Sequence, residues 1–274
     1  MSALVDVVDL DRYPIDRPES TGAASLIAAC RRQLAADGVC SLPGFLRSEA
    51  IAATIDTGDR LRSGAWHADQ THNVYFTDLD DPDLETLHED HPRRRRIRSS
   101  QWAVAYDLLP GDLPLRILYE SDELLRFLEG VLDQPVLYRS VDPLDACEIS
   151  FFHPGDELGW HFDNSEFSVT VMLREPDAGG DFEYFPSIRS SDDEQYDDVR
   201  AAIDGSARSV TLPTGPGTLA IFQGRHALHR VSPVLGDTSR MNAVLTFGAE
   251  PDMCLSPLTQ ELFYGRRVVP VSAS

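Results

Sequence analysis

Not one of the 274 residues is lysine, so all 24 basic side chains are arginines. That absence closes several routes. No Schiff base can form on a lysine amine, and no Walker-type phosphate loop can place its lysine. Any anion that needs a fixed cation must find it in arginine, a metal ion or backbone amides. Cysteine is scarce as well. Cys30, Cys40, Cys147 and Cys254 are scattered without Cys-x-x-Cys spacing. This argues against structural zinc and a redox dithiol, and reads as reduced, mostly buried thiols. No apolar run is long enough to span a bilayer. The acidic start MSALVDVVDLDRYPID has no basic segment followed by an apolar block, so no secretory signal is expected and the cytoplasm is the expected compartment.

Positive charge is in deficit: the formal net charge is −21. Such a chain repels phosphate backbones, so neither nucleic acid nor a membrane is an expected partner. The one basic run, Arg93 to Arg96 with Arg98 close behind, reads as a solvated turn after His91-Pro92. With 42% hydrophobic and 25% charged residues the composition is that of a soluble globular protein, long enough to bury a large core. No repeat or low-complexity linker divides it. We read a single domain over 1–274: a mostly helical buttress over 1–135, a β-core with the functional site over 136–250, and a C-terminal segment over 251–274.

Ser20 or Thr21 predicts a cap for a helix over about Ala23 to Asp37, in which Leu26, Ile27, Cys30 and Leu34 recur at helical spacing and which Gly38 ends. A short strand VCSLPGF follows, and Ser48 opens a second helix. Residues 64–97 read as loop with short strands around Asn73–Thr77. From Ser100 to Leu132 the pattern reads as helical, broken at Gly111 to Pro114 and recapped at Ser121. The period then changes toward two. VLYRSV, ACEISFF, FSVTVMLR, DFEYF, RSVTL, GTLAIF and MNAVLTFG are β-branched or aromatic runs between turn signals. The acidic stretch RSSDDEQYDDVRAAIDG reads as a solvated loop and short helix, since it lacks calcium-loop spacing. So many strands in succession imply a sandwich or barrel, mainly β with flanking helices.

Inside FFHPGDELGWHFDN stands a His-x-Asp triplet, His161-Phe162-Asp163. In an extended strand residues i and i+2 point to one face, so an imidazole and a carboxylate project together. A second, distal histidine would complete a facial two-His, one-carboxylate set of the kind that non-haem iron oxygenases use. His229 follows a strand and a Gly-containing turn, and Arg240 lies at the start of the next strand. His226 competes with His229; we favour His229 because Val231-Ser232-Pro233-Val234 follows it. His153, before a Pro-Gly turn, reads as structural.

His-x-Asp, then His229 in an H-x-V-x-P-V context, then Gly236 to Arg240, resemble the iron(II)/2-oxoglutarate-dependent dioxygenase superfamily. The helix, Gly, strand, Pro-Gly-Phe-Leu, helix entry is similar to that of many 2-oxoglutarate oxygenases. WHFDNSEFSVTVMLREPDAGGDFEYFPSIR and the closing YGR resemble a bacterial branch acting on free amino acids, which contains chlorinating halogenases and related hydroxylases. The resemblance runs from roughly Asp9 to Arg267. It implies a double-stranded β-helix (jelly-roll, cupin-like) core, Fe(II) on His161, Asp163 and His229, 2-oxoglutarate and O2 as co-substrates, and Arg240 on the distal carboxylate of 2-oxoglutarate. A guanidinium forks onto a carboxylate, and no lysine is present to replace it. Halogenases of the branch carry Gly at the metal carboxylate and so leave a coordination position for halide. Retention of Asp163 therefore implies hydroxylation of an unactivated C–H bond, with release of succinate and CO2. Two positions depart from the pattern: Phe152 stands where a Tyr is common, and Arg174 where a neutral amide is expected.

For a free amino-acid substrate, Arg98 is the candidate for its carboxylate, with Asn164 and Thr246 as further pocket residues. Asn164 and the apolar Leu144 point to an aliphatic or neutral amino acid, in secondary metabolism. The same chemistry ending in desaturation or ring closure, including aziridine formation, remains open, as do a cupin-like binding protein and a zinc hydrolase, since two His and an Asp also bind zinc.

Overall fold

A computed structural model describes residues 3–268; the last six residues of the expected C-terminal segment lie outside the described residues. The Ser20 hydroxyl accepts from the Ala23 amide at 3.1 Å and caps α1 (Thr21–Asp37), which Gly38 closes at φ 70°. Helix α2 covers Ser48–Leu61. Helices α3 (Pro114–Glu120) and α4 (Asp122–Leu132) meet at Ser121, whose hydroxyl caps α4. Two shorter helices follow, α5 (Tyr196–Ile203) in the acidic stretch and α6 (Pro257–Tyr264) near the end. Among the described residues no helix is long and apolar enough to cross a membrane.

The strands are β1 (Val39–Leu42), β2 (Trp66–His72), β3 (Ile97–Val104), β4 (Tyr138–Arg139), β5 (Cys147–Phe152), β6 (Glu157–His161), β7 (Ser168–Arg174) and β8 (Ala178–Gly179). After them come β9 (Phe182–Phe185), β10 (Val210–Leu212), β11 (Leu219–Phe222), β12 (Leu228–Val231), β13 (Val234–Leu235), β14 (Arg240–Leu245) and β15 (Phe247–Gly248). Eleven of them form one antiparallel sheet in the order β1-β11-β7-β14-β5-β3-β6-β12-β9-β10, with β2 on the free side of β3. This sheet curls into the double-stranded β-helix that the resemblance implied.

Two local expectations are corrected. Residues 66–104 hold a long hairpin partner pair, β2 and β3, rather than loop followed by helix: all seven residues of β2 pair with β3, from Trp66 opposite Ala103 to His72 opposite Ile97. Long-range pairing of β3 with β5 and β6 overrides the weak helical pattern of its sequence. Asn73–Thr77 is not a strand but a turn around the fully buried Asn73, whose amide oxygen accepts from the Tyr75 and Thr77 amides. The first 135 residues thus supply β1, β2 and β3 as well as helices.

Alternation along the strands decides which residues reach the interior. Val169, Val171 and Leu173 of β7, Met241, Ala243 and Leu245 of β14, and Ile149 and Phe151 of β5 join the core that packs on the helices. Their neighbours take the opposite face. In the β14–β5 ladder Arg240 lies opposite Phe152, Asn242 opposite Ser150 and Val244 opposite Glu148, so these six share the concave face.

Where β5 meets α6 the chain buries a group of acids. Tyr264 and Ser150 hydroxyls donate to Glu148, while the Gln260 amide and the Leu255 N–H donate to Asp142 at 2.8 and 2.9 Å. Asp145 is pushed up to about 7, chiefly by burial and then by Asp142 and Glu148. A raised carboxyl means that the native state keeps a proton the unfolded chain has lost. Stability is therefore full below the unfolded value and falls as pH rises from about 4 to 7, by a few kcal/mol at most. Asp145→Asn keeps an acceptor for Ser140 and is expected to flatten this slope and raise Tm at pH 8; differential scanning calorimetry between pH 5 and 8 checks it. Equal slopes for both proteins would contradict it.

Candidate metal centre

Strand β6 ends at His161, which lies directly opposite His229 of β12, with ring centroids 4.1 Å apart. Asp163 is in the turn just beyond the strand, its amide donating to the Gly224 carbonyl at 3.2 Å. One Asp163 carboxylate oxygen, Oδ1, is 3.7 Å from His161 Nε2 and 3.4 Å from His229 Nε2. The three ligand atoms all lie within 4.8 Å of one another, and among the described residues no other cluster of His, Cys, Asp or Glu does this.

The hydrogen bonds fix what these groups offer. Each imidazole Nδ1 meets a carbonyl two residues upstream, His161 at Gly159 (2.8 Å) and His229 at Ala227 (2.9 Å). A carbonyl only accepts, so each Nδ1 carries a proton and each Nε2 is turned toward Asp163. Burial, and then His229, push His161 down to about 3, so it is neutral at physiological pH. For Asp163 burial raises the pKa, but His229 and His161 outweigh it and hold the carboxyl below its usual range. Its second oxygen, Oδ2, is buried without a partner. Two imidazole nitrogens and one under-satisfied carboxylate, converging in a buried place, fit a divalent transition-metal ion. Gly224 is part of this geometry, since a Cβ there would stand 1.9 Å from Asp163 Oδ2. Gly224→Ala is expected to displace the carboxylate and weaken Fe(II) binding by about 10–100-fold, as outer-shell changes do; a chelator-competition titration checks it, and unchanged affinity would contradict it.

A cavity inside the barrel is walled by rings that pack against His229. Phe222 sits edge-on to His229 at 4.8 Å and Phe182 lies 5.6 Å from it, and both also line the cavity with Ser168, Thr170, Met172, Arg240 and Asn242. Arg240 is 5% exposed and stands over the Phe152 ring. Its Nη1 donates to Asn242 Oδ1, its Nε is buried without a partner, and among the described residues no carboxylate pairs with it. Burial pushes its pKa down to about 10, with Asp181 partly offsetting this. A buried cation without a counter-ion is costly, and an anion in the cavity would relieve it.

His161, Asp163 and His229 are thus brought together, and Arg240 is brought to a cavity whose Phe182 and Phe222 also touch the His229 ring. Two expected pocket residues are not. Arg98 lies on the Ser100 and Trp102 side of β3, opposite the face that carries Ala103, and forks onto Asp69 with two contacts of 3.0 Å. Thr246 donates to the Asp145 carbonyl at 2.7 Å, outside the cavity. Asn164 is exposed next to Asp163, its carbonyl accepting from Arg225. His226 lies outside the trio, and His153 stacks on Trp102. Arg174 is explained by an ion pair to Asp59 of α2 at 2.8 Å. Asn242 was missed by sequence reasoning; its signal is the two-residue spacing from Arg240 on one strand.

The Halogenase D family model matches residues 84–264. No curated protein matches the chain by sequence. Among solved structures, a prolyl hydroxylase from Trichoplax adhaerens, in complex with a hypoxia-inducible-factor peptide, superposes with TM-score 0.56 at 17% identity, covering 86% of this chain and 97% of that one. A 2OG-Fe(II) oxygenase family oxidoreductase from Burkholderia pseudomallei gives TM-score 0.51 at 17% identity over 82% and 91% of the two chains. SnoN, an α-ketoglutarate-dependent epimerase of nogalamycin biosynthesis, gives 0.56 at 15% identity over 82% and 81%.

Proposed function

This chain belongs to the Halogenase D family, and we propose that it is an Fe(II)- and 2-oxoglutarate-dependent oxygenase that hydroxylates an unactivated C–H bond of a free amino acid or similar small molecule. The observation that carries this reading is the unpaired, buried Arg240 in a cavity whose Phe182 and Phe222 also pack against the His229 ring. A cupin-like binding protein or a zinc hydrolase has no use for such a cation.

When bound, Fe(II) with 2-oxoglutarate and O2 supplies the oxidising equivalents that turn C–H into C–OH as 2-oxoglutarate becomes succinate and CO2. His161 and His229 would hold the metal through Nε2 and Asp163 through its carboxylate. Arg240, steadied by Asn242, takes the distal carboxylate of 2-oxoglutarate, and two charge-assisted hydrogen bonds orient it. Phe182 and Phe222 keep water from this end of the cavity. Asp163 fills the protein position that a halide would need, which favours hydroxylation over halogenation.

Incubation with Fe(II), 2-oxoglutarate, O2 and a panel of free amino acids tests it. Succinate release stimulated by an aliphatic or neutral amino acid, with a product one oxygen atom heavier, is expected. A product two hydrogens lighter would replace hydroxylation by desaturation or cyclisation, and no stimulation by any amino acid would remove the substrate class.

A further inference from the structure

Strand β6 carries an irregularity at the metal site. His161 pairs with His229 but Leu158 pairs with Val231, so three steps on β6 match two on β12, and one extra residue is accommodated at Gly159-Trp160. The Trp160 side chain leaves for a cluster with Phe185, Val199 and Leu228. Gly159 is pressed against β3, where a Cβ would meet Ile97 Cγ2 at 2.3 Å and the Arg98 carbonyl at 2.5 Å.

Both ends of the Gly159 unit are occupied. Its carbonyl accepts from His161 Nδ1, and its amide donates to the Ser99 hydroxyl at 3.0 Å. Ser99 Oγ also meets His72 Nε2 at 2.6 Å, and His72 Nδ1 meets the Asn73 carbonyl at 2.9 Å. That last contact puts the His72 proton on Nδ1, so Nε2 accepts from the Ser99 O–H, which leaves the serine oxygen to accept from Gly159. The chain of donors is therefore fully assigned from the Asn73 turn to the ring of His161. His72 is 5% and Ser99 2% exposed, so both polar side chains are sealed from solvent. The His72 ring is stacked on Phe76 at 4.3 Å, and Phe76, at φ 51°, lies edge-on to His161 at 5.4 Å. A non-glycine residue in the left-handed region persists only where its surroundings hold it, as Asn73 does here. An alanine and a phenylalanine at 99 and 72 would fill such a place without burying polar atoms. A polar pair that ends on the amide of the residue whose carbonyl orients a ligand histidine has a more specific use.

We propose that Ser99 and His72 are positioning residues for His161: they hold the amide of Gly159 in the bulge, and the carbonyl of the same residue, one peptide further on, sets the tautomer and ring plane of that ligand. The proposal rests on the metal-site reading above. The test is a titration of the purified protein with Co(II) alone, reading affinity and the d–d absorption that reports ligand geometry. Ser99→Ala and His72→Phe are each expected to lower Co(II) affinity by about 10–100-fold and to alter the d–d spectrum. Ser99→Thr, which keeps the hydroxyl, is expected to stay close to wild type. Thr54→Val removes a buried hydroxyl that bonds the Ala50 carbonyl in α2, far from this relay in the fold, and serves as the stability control. It is expected to lower Tm yet leave Co(II) affinity and spectrum unchanged. If Ser99→Ala does not fold, His72→Phe carries the same test. Wild-type affinity and spectrum in the two variants, or an equal loss in Thr54→Val, would overturn the proposal alone. A wild-type protein that binds no Co(II) would overturn it together with the metal-site reading.

Discussion

Arg240→Ala is expected to raise the KM for 2-oxoglutarate by roughly 30-fold to several-thousand-fold, the range for removing one partner of a buried, hydrogen-bonded charge pair at about 2–5 kcal/mol. The guanidinium is buried, donates to Asn242 and has no carboxylate of its own, so the co-substrate is its natural counter-ion. The same isolation predicts an opposite effect on stability. Without 2-oxoglutarate the variant no longer buries an unpaired cation and should melt no lower than wild type. Added 2-oxoglutarate, with metal, should raise the wild-type Tm and leave that of the variant unmoved at the same concentration. Arg240→Lys should recover little, because an ammonium cannot reproduce the planar fork. Succinate-release kinetics together with melting curves check all three. An unchanged KM in Arg240→Ala would place the co-substrate elsewhere.

Asp163→Gly is expected to lower hydroxylation by more than the ~10–100-fold typical of outer-shell changes, since it removes a donor itself. The carboxylate is packed against Gly224, which has no side chain to fill the vacated space. With chloride present, a product carrying chlorine in place of hydrogen is then expected, read by isotope pattern in the mass spectrum. This outcome rests on the function proposed above, taken with the carboxylate that the chain keeps at Asp163. Hydroxylation by Asp163→Gly at the wild-type rate would show that Asp163 is not a ligand.

The parts legible in the sequence were those in which residue chemistry is scarce and local. Eight histidines, three of them in His-x-Asp triplets, and no lysine left few ways to build a metal and anion site. The period-two runs after residue 136 gave most of the strands. What escaped was set by long-range pairing. The β2–β3 hairpin has a polar sequence and exists because β3 pairs along its other edge with β5 and β6. Arg98 looked like a pocket cation until β2 placed Asp69 beside it. Thr246 bonds the Asp145 carbonyl, a contact from 101 residues away that no spacing announces. The bulge at Gly159 is invisible for the same reason, since a register shift belongs to two strands at once.

The most direct measurement is anaerobic. Fe(II) and then 2-oxoglutarate are added to the apo-protein while the visible spectrum is followed for the charge-transfer band of 2-oxoglutarate chelated to protein-bound Fe(II). The band is expected in the wild type and absent from His161→Ala and His229→Ala. No band in the wild type, or the same band in either variant, would contradict the site formed by His161, Asp163 and His229.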